Sequence, residues 1–394
     1  MNTKELKPDW RRVKFGDVVQ LSKARSQDPL ADGIERYVGL EHLEPGDLRI
    51  RSWGSVADGV TFTSIFKPGQ VLFGKRRAYQ RKVAVAEFSG VCSGDIYVLE
   101  TKDPTVLLPE MLPFICQTDG FFDHAVGTSA GSLSPRTNWT SLATFDFSLP
   151  PIAEQERLIE LLRTHADVVE SLQVAKASAD RARRAALLDI FRPQRGVTDS
   201  YPAHWETLRI DELGDVQLGQ QRHPKFERGS NMRRYLRVAN VLDGWIDFAD
   251  LNEMHFPEAD VKKFELQPGD ILLNEGQSFD LVGRSAIYRG EIDGICCQKT
   301  LIRFRCGPSM LPEYAQAYFQ HRLYTGQFAA MCVQTTSMAH LTAVRFGAMK
   351  VPVPPLQEQS RIASLVDCLA ATVHELSRRI GRTVALKTNM EFLS

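Results

Sequence analysis

At 394 residues, with 43% hydrophobic and 24% charged side chains, the chain is long enough for two or more globular domains with sizeable cores. Its 48 basic and 48 acidic residues cancel, which excludes a protein that coats nucleic acid by bulk charge and leaves that role to local basic patches. Seven cysteines with no C-x-x-C spacing argue against a disulfide framework or a zinc site; a polar start and no long apolar run point to a cytoplasmic protein that does not span a membrane.

A first mixed α/β domain is expected over residues 1–149. It opens with Pro8-Asp9-Trp10 and, shortly after, Phe15-Gly16-Asp17-Val18. Strands are predicted at Val71-Leu72-Phe73, behind the Pro68-Gly69 turn, at Val83 to Ala86 and at Asp95 to Leu99, with a helix from Pro109 to Thr118. Between the first two strands lies a basic loop, Lys75, Arg76, Arg77, Arg81 and Lys82 around Tyr79. Arginine and lysine suit phosphates and guanine edges, although a solvated basic turn has the same composition. A second polar loop, Gly127 to Arg136, carries Ser129, Ser132 and Arg136; its hydroxyls and amides can hold phosphates or simply cap turns.

Residues 150–200 read as a helical spacer with a linker. Pro150-Pro151-Ile152-Ala153-Glu154-Gln155 presets the first turn, and no Gly or Pro follows until after Phe191. An apolar seam is expected through Leu158, Leu161, His165, Val168 and Leu172, continuing through Ala175, Ala179, Ala182 and Ala186. Arg192 to Tyr201 is the linker.

A second domain, residues 201–353, repeats the first. Pro202 to Trp205, Gly214-Asp215-Val216 and Pro268-Gly269-Asp270-Ile271 match segments roughly 200 positions earlier, a period that means duplicated domains rather than a solenoid. Strands are predicted after Gly269, at Ser285 to Tyr288 and at Thr300 to Phe304, and a helix from Pro312 to Tyr324; Cys296-Cys297 reads as buried strand. Here the loop after Leu273 is polar and less basic, with Asn274, Gln277, Ser278 and Arg284, and Asn and Gln suit adenine edges. The matching hydroxyl loop, Gln334 to Leu341, carries Ser337 and His340.

The last segment, 354–394, is a second spacer. Pro354-Pro355-Leu356-Gln357-Glu358-Gln359 opens a helix interrupted before Asn389 only by Gly381, a weak point, with a seam through Ile362, Val366, Leu369, Val373, Leu376 and Ile380. Two such helices favour pairing with each other over docking each on its own domain. Chain connectivity then requires them to run antiparallel, holding the halves at opposite ends of a rod of roughly 50 to 60 Å in a pseudo-twofold arrangement that suits duplex DNA. The fold class expected is α+β, two mixed α/β domains separated by an antiparallel coiled coil. No phosphate loop, nucleophile elbow or metal-ligand cluster is present in the sequence, so no catalytic or metal-binding residue is assigned.

Twice-occurring Pro-Pro-x-x-Glu-Gln, the long helices behind it, and the Trp10 and Trp205 starts followed by Gly-Asp-Val resemble the specificity (S) subunits of Type I restriction-modification systems over essentially the whole chain. That resemblance implies two target-recognition domains, each binding half of a split double-stranded DNA target, with the helices as a ruler for the gap. It implies a non-catalytic subunit of a phage-defence complex, partnered by two DNA methyltransferase subunits that carry S-adenosylmethionine, with or without ATP- and Mg-dependent restriction subunits. No cofactor is expected in this chain. By position it adds Gln298 and Lys299 to the DNA-contact candidates. Two other readings share some of these features: the specificity chain of a Type II-like methyltransferase-nuclease, and a coiled-coil scaffold with no nucleic-acid role.

Overall fold

The computed structural model describes residues 9–193, 201–334 and 338–388, so most of the expected linker lies outside the described residues. The fold is α+β. The chain divides into two compact units, Met1–Ser171 with Arg379–Ser394, and Leu172–Arg378, so each division falls within a long helix.

In the first unit, strand Arg11–Lys14 pairs antiparallel with Asp146–Leu149, the strand that runs straight into Pro150. An antiparallel four-stranded sheet follows in the order Val19–Leu21, Ile96–Thr101, Val71–Gly74, Val83–Val85, with Leu72 opposite both Val98 and Ala84. Alternate residues of these strands face two cores. Val71, Phe73, Val83 and Leu99 join Phe15, Phe121, Phe147 and Leu158, while Leu72, Ala84 and Val98 join Val38, Phe66 and Cys92 of a second sheet. In place of the helix predicted from Pro109 to Thr118 there is a short one, Leu112–Cys116, because Pro109 begins a turn rather than a first helical turn.

The second unit repeats this plan. Glu206–Arg209 pairs with Lys350–Val353 ahead of Pro354, and the four-stranded sheet runs Gly214–Leu218, Leu301–Cys306, Ile271–Asn274, Ser285–Ile287. In both units the neighbouring sheet contains a parallel pair, Tyr37 with Val91 and Tyr235 with Cys296. The helix Pro312–Tyr324 has the predicted limits.

The long helices span Ile152–Ile190 and Leu356–Thr388, and the second continues through Gly381. One side chain explains why each begins where it does. Buried Gln155 donates to Val106 O and Pro150 O and accepts from Leu108 N–H, all at 2.9 Å. Buried Gln359 donates to Ser309 O and Pro354 O and accepts from Leu311 N–H at the same distances. The last residue of each Pro-Pro-x-x-Glu-Gln therefore ties the helix start to a chain segment about fifty residues away and satisfies three backbone groups that burial would otherwise orphan.

Burial along the second helix follows the expected seam: Val366 is buried, and Ile362, Leu369, Val373, Leu376 and Ile380 are partly buried. Along the first, the buried face differs from the expected one. Leu158, His165 and Leu172 lie on it as expected, but Leu161 and Val168 are 50% and 45% exposed, and the face passes instead through Leu162 and Val169. Leu161-Leu162 and Val168-Val169 are apolar doublets, and either member satisfies a spacing of three and four.

Within the second unit, Leu187 and Phe191 at the end of the first helix share a core cluster with Val366, and Ile190 and Ile362 pack against it, as an antiparallel pair of helices requires. Arg183 fastens the first helix there. Its Nη2 donates to Asp243 Oδ2 (2.9 Å) and the Tyr324 hydroxyl (2.6 Å), and Gln320 donates to Asp243 Oδ1. Within the first unit, Arg49 and Arg51 bind Glu170 of the same helix, and His165 Nε2 lies 2.6 Å from Thr383 O of the second helix.

Candidate nucleic-acid interface

In the first unit the two loops singled out from the sequence come together at the end of the central strand Val71–Gly74. Lys75 N–H donates to Asp95 O and Thr137 N–H to Lys75 O, and Arg76 and Arg136 form a bridge. Asp95 lies between them: its Oδ2 accepts from Arg76 Nη1 at 3.2 Å and its Oδ1 from Arg136 Nε at 2.8 Å. Burial disfavours the Asp95 charge, but the hydrogen bonds from Arg136 and Arg76 outweigh it and hold the carboxyl below the usual carboxylate range. Ser134 Oγ accepts from both Arg76 and Arg77.

The loop is held by strained backbone. Arg77 and Arg81 both adopt the left-handed conformation, at φ 53° and 56°, and non-glycine residues there cost roughly 1 kcal/mol or more each, a feature that concentrates at functional sites. Arg81 pairs with Asp119 and lies 4.7 Å over the Phe122 ring; Lys75 Nζ lies 4.6 Å over Tyr97. Tyr79 is 55% exposed at the rim and Ser132 is exposed. Among the described residues the ion pairs of Lys75, Arg76, Arg77, Arg81, Lys82 and Arg136 involve two carboxylates, Asp95 and Asp119, which leaves local positive charge on a chain of zero net charge.

Two first-domain candidates have other tasks. Lys82 Nζ donates to Leu40 O, and Ser129 Oγ donates to Ala125 O at the end of helix Asp119–Gly127. Each spends one hydrogen bond within the fold, and the Lys82 ammonium keeps two further donors and the Ser129 hydroxyl its acceptor lone pairs.

The same backbone bonds recur in the second unit with other side chains on them. Glu275 N–H donates to Thr300 O, Leu341 N–H to Glu275 O, and Gly276 pairs with His340. Lys75 therefore corresponds to Glu275, Arg76 to Gly276, Arg136 to His340, and Asp95 to Thr300. His340 Nδ1 lies 3.6 Å from Glu275 Oε2, and Gln277 opposes Ala339. Ser278 and Lys299 are exposed nearby in sequence, whereas Gln298 accepts from the Thr300 hydroxyl.

Asn274 is a correction. As the last residue of a wholly buried strand it is sealed from solvent, with Nδ2 on Val241 O at 3.4 Å, because the strand continues one residue further than the apolar run. Arg284 is half-buried, and burial works against its charge more than Asp243 supports it. Ser337 lies outside the described residues. Asp95 and Glu275 were missed from sequence, and Ser134 was singled out only as part of its hydroxyl loop. An acid or serine beside arginines carries no pattern of its own, and only the pairing of the two loops reveals them.

Taken together, the features are those of a duplicated α+β domain, each copy ending in a strand, a Pro-Pro and a long helix, with one loop position chemically unlike in the two copies. Residues 202–382 match the family described as the Type I restriction modification DNA specificity domain. The chain is 30% identical over 198 residues to the Type I restriction enzyme EcoDI specificity subunit of Escherichia coli, a match covering 47% of this chain and 42% of that one. It is 26% identical over 314 residues to the EcoKI specificity subunit of Escherichia coli strain K12, covering 72% and 65%. The chain thus spans less than two thirds of the length of these curated relatives. The S subunit of a Type I restriction-modification system from M. genitalium shares its fold, with a TM-score of 0.61 at 12% identity over 99% of this chain and 96% of that one. The resemblance to Type I specificity subunits carried by the two Pro-Pro-x-x-Glu-Gln segments is therefore shown. Among the described residues no helix is long and apolar enough to cross a membrane, and no group of three or more metal-ligating side chains occurs.

Proposed function

We propose that this chain is a non-catalytic DNA-recognition subunit of a Type I restriction-modification system. Each domain reads one half of a bipartite target, and the long helices set the unspecified gap between the halves. Methyltransferase subunits bound to the chain supply S-adenosylmethionine, restriction subunits supply ATP and Mg chemistry, and the complex works in the cytoplasm on duplex DNA. The observation that carries this reading is the conserved backbone pairing of the two loops in both domains with Lys75, Arg76 and Arg136 exchanged for Glu275, Gly276 and His340. One scaffold with two chemistries is what recognition of two unlike half-sites requires.

Methylation mapping of a genome with and without the chain tests it. A bipartite motif, methylated on opposite strands and lost with the chain, is expected; an unchanged methylome refutes the proposal. Four residues, about one turn, inserted into each long helix at matched heights should lengthen the tolerated gap and leave both half-sites alone.

A further inference from the structure

Asp95 fixes the orientation of Arg136 in a way that selects one kind of base. It accepts from Arg136 Nε at 2.8 Å, which leaves both Nη groups of a 52% exposed guanidinium without a partner among the described residues. Its other oxygen is held by Arg76, whose Nη2 is in turn held by Ser134 Oγ at 3.1 Å, so the carboxylate is anchored independently of Arg136. A guanidinium secured at Nε presents its two Nη donors side by side at a fixed angle. Guanine alone among the bases offers two adjacent acceptors, O6 and N7, on its major-groove edge; adenine and cytosine present an amino donor there, which such a fork repels.

We propose that Arg136, oriented by Asp95, reads a guanine in the half-site bound by the first domain. This rests on the DNA-recognition reading above and names the base class of that site. At the matching positions of the second domain Gly276 and His340 occupy the bridge and Thr300 stands where Asp95 does, so among the described residues that place carries no such fork. The proposed guanine contact therefore belongs to the half-site of the first domain. Asp95 is a positioning residue, since it acts through Arg136.

The test uses the full chain with its methyltransferase subunits and duplexes carrying the mapped motif, with the first half-site assigned by exchanging residues 1–149. Each guanine of that half-site is replaced in turn by 7-deazaguanine, which lacks the N7 acceptor. At one position affinity should fall about tenfold. Arg136→Lys, a point charge that cannot form the fork, should abolish sensitivity to that replacement while keeping most of the affinity. Asp95→Asn should reduce discrimination at the same base at least about fivefold with the salt dependence unchanged, whereas a purely structural role would weaken all sequences alike. Indifference of the native complex to every 7-deazaguanine overturns the proposal, as does an Arg136→Lys loss spread evenly over all duplexes. Absence of any bipartite motif in the native methylome would instead overturn the DNA-recognition reading itself. Retained recognition of the second half-site shows that each variant is folded.

Discussion

The two domains share their backbone hydrogen bonds more closely than their chemistry. Lys75 and Glu275 make the same two main-chain bonds, to Asp95 and Thr137 in one domain and to Thr300 and Leu341 in the other, yet they carry opposite charges. The polar layer of the central sheet changes in the same manner. In the first domain Gln70 donates to Glu100, which also accepts from Gln20. In the second the matching residues are Asp270, Arg305 and Asp215, with Arg303 added where the first domain has Val98. A frame held by main-chain pairing tolerates wholesale replacement of loop side chains, while partly buried polar groups change only as compensated sets. That difference separates positions free to acquire new specificity from positions bound by stability.

The largest effect should come from breaking one such set. Asp270 is buried, accepts two bonds from Arg305 and lies 3.7 Å from the Nη1 of Arg303, whose side chain is itself buried. Asp270→Ala takes both hydrogen bonds from the half-buried Arg305 and leaves the buried Arg303 with Asp215 as its one carboxylate among the described residues, and removing one partner of a buried charged set costs about 3–5 kcal/mol. Gln70→Ala, at the matching position, loses neutral or single-charge bonds at a half-buried site and should cost about 1 kcal/mol. Denaturant unfolding of the two variants measures the contrast; equal losses would mean that the charged set is no more than a surface ornament.

The glutamine clamps should behave in the opposite way, alike in both domains. Gln155→Ala and Gln359→Ala each leave two carbonyls and one N–H unpaired next to a core, at a cost of about 2–4 kcal/mol. The two losses should agree within about 1 kcal/mol. Disagreement larger than that would show that the helix starts are not equivalent joints.

These clamps also mark how far the sequence could be read. The repeated Pro-Pro-x-x-Glu-Gln was visible because proline and a long run without Gly or Pro are local signals, and it placed both helix starts correctly. What the glutamine does was not visible, since its partners, Val106 and Ser309, are some fifty residues distant and offer only backbone oxygens. The buried face of the first helix was legible at Leu158 and Leu172 but not at the Leu161-Leu162 and Val168-Val169 doublets, where three-dimensional packing chooses between equals. Asn274 looked like the start of a loop because it is polar, and it is buried because a strand's last residue keeps the register of the sheet. The basic loop was found as a composition; the Asp95 bridge that gives it a geometry depends on two chain segments meeting.

Acid should separate the domains next. His321 is buried against Phe191 and Tyr318, and burial, reinforced by the Arg322 charge, pushes its pKa down to about 4. The folded value lies below the ordinary histidine value near 6.5, so the neutral ring stabilises the second domain fully above that pH and the contribution is lost as pH falls toward 4. By pH 5 the loss should reach about 2 kcal/mol. The short helix Leu112–Cys116 of the first domain has no such histidine. Thermal melts at pH 7 and pH 5 should therefore show the second domain weakened more, and His321→Gln should flatten that dependence. A native-like acid sensitivity in His321→Gln would assign it to other groups.

The smallest effect concerns DNA. If the loops face phosphates, each side-chain charge there contributes one unit of counterion release, and the slope of log affinity against log salt shifts by about 0.9 per charge. Lys75→Gln should make the slope shallower by about that amount, a three- to fourfold change in affinity across a fourfold range of salt. Glu275→Gln removes a repulsion instead and should raise affinity modestly on every sequence, unless Glu275 accepts from a base amino group, in which case affinity falls only on the cognate second half-site. The two glutamine variants thus ask different questions at one structural position. In the first domain the answer measures how near the basic loop lies to the backbone of the duplex. In the second it tells whether a carboxylate placed among phosphates is tolerated for the base it reads or merely lies outside the interface, which a variant with unchanged affinity on cognate and scrambled duplexes alike would establish.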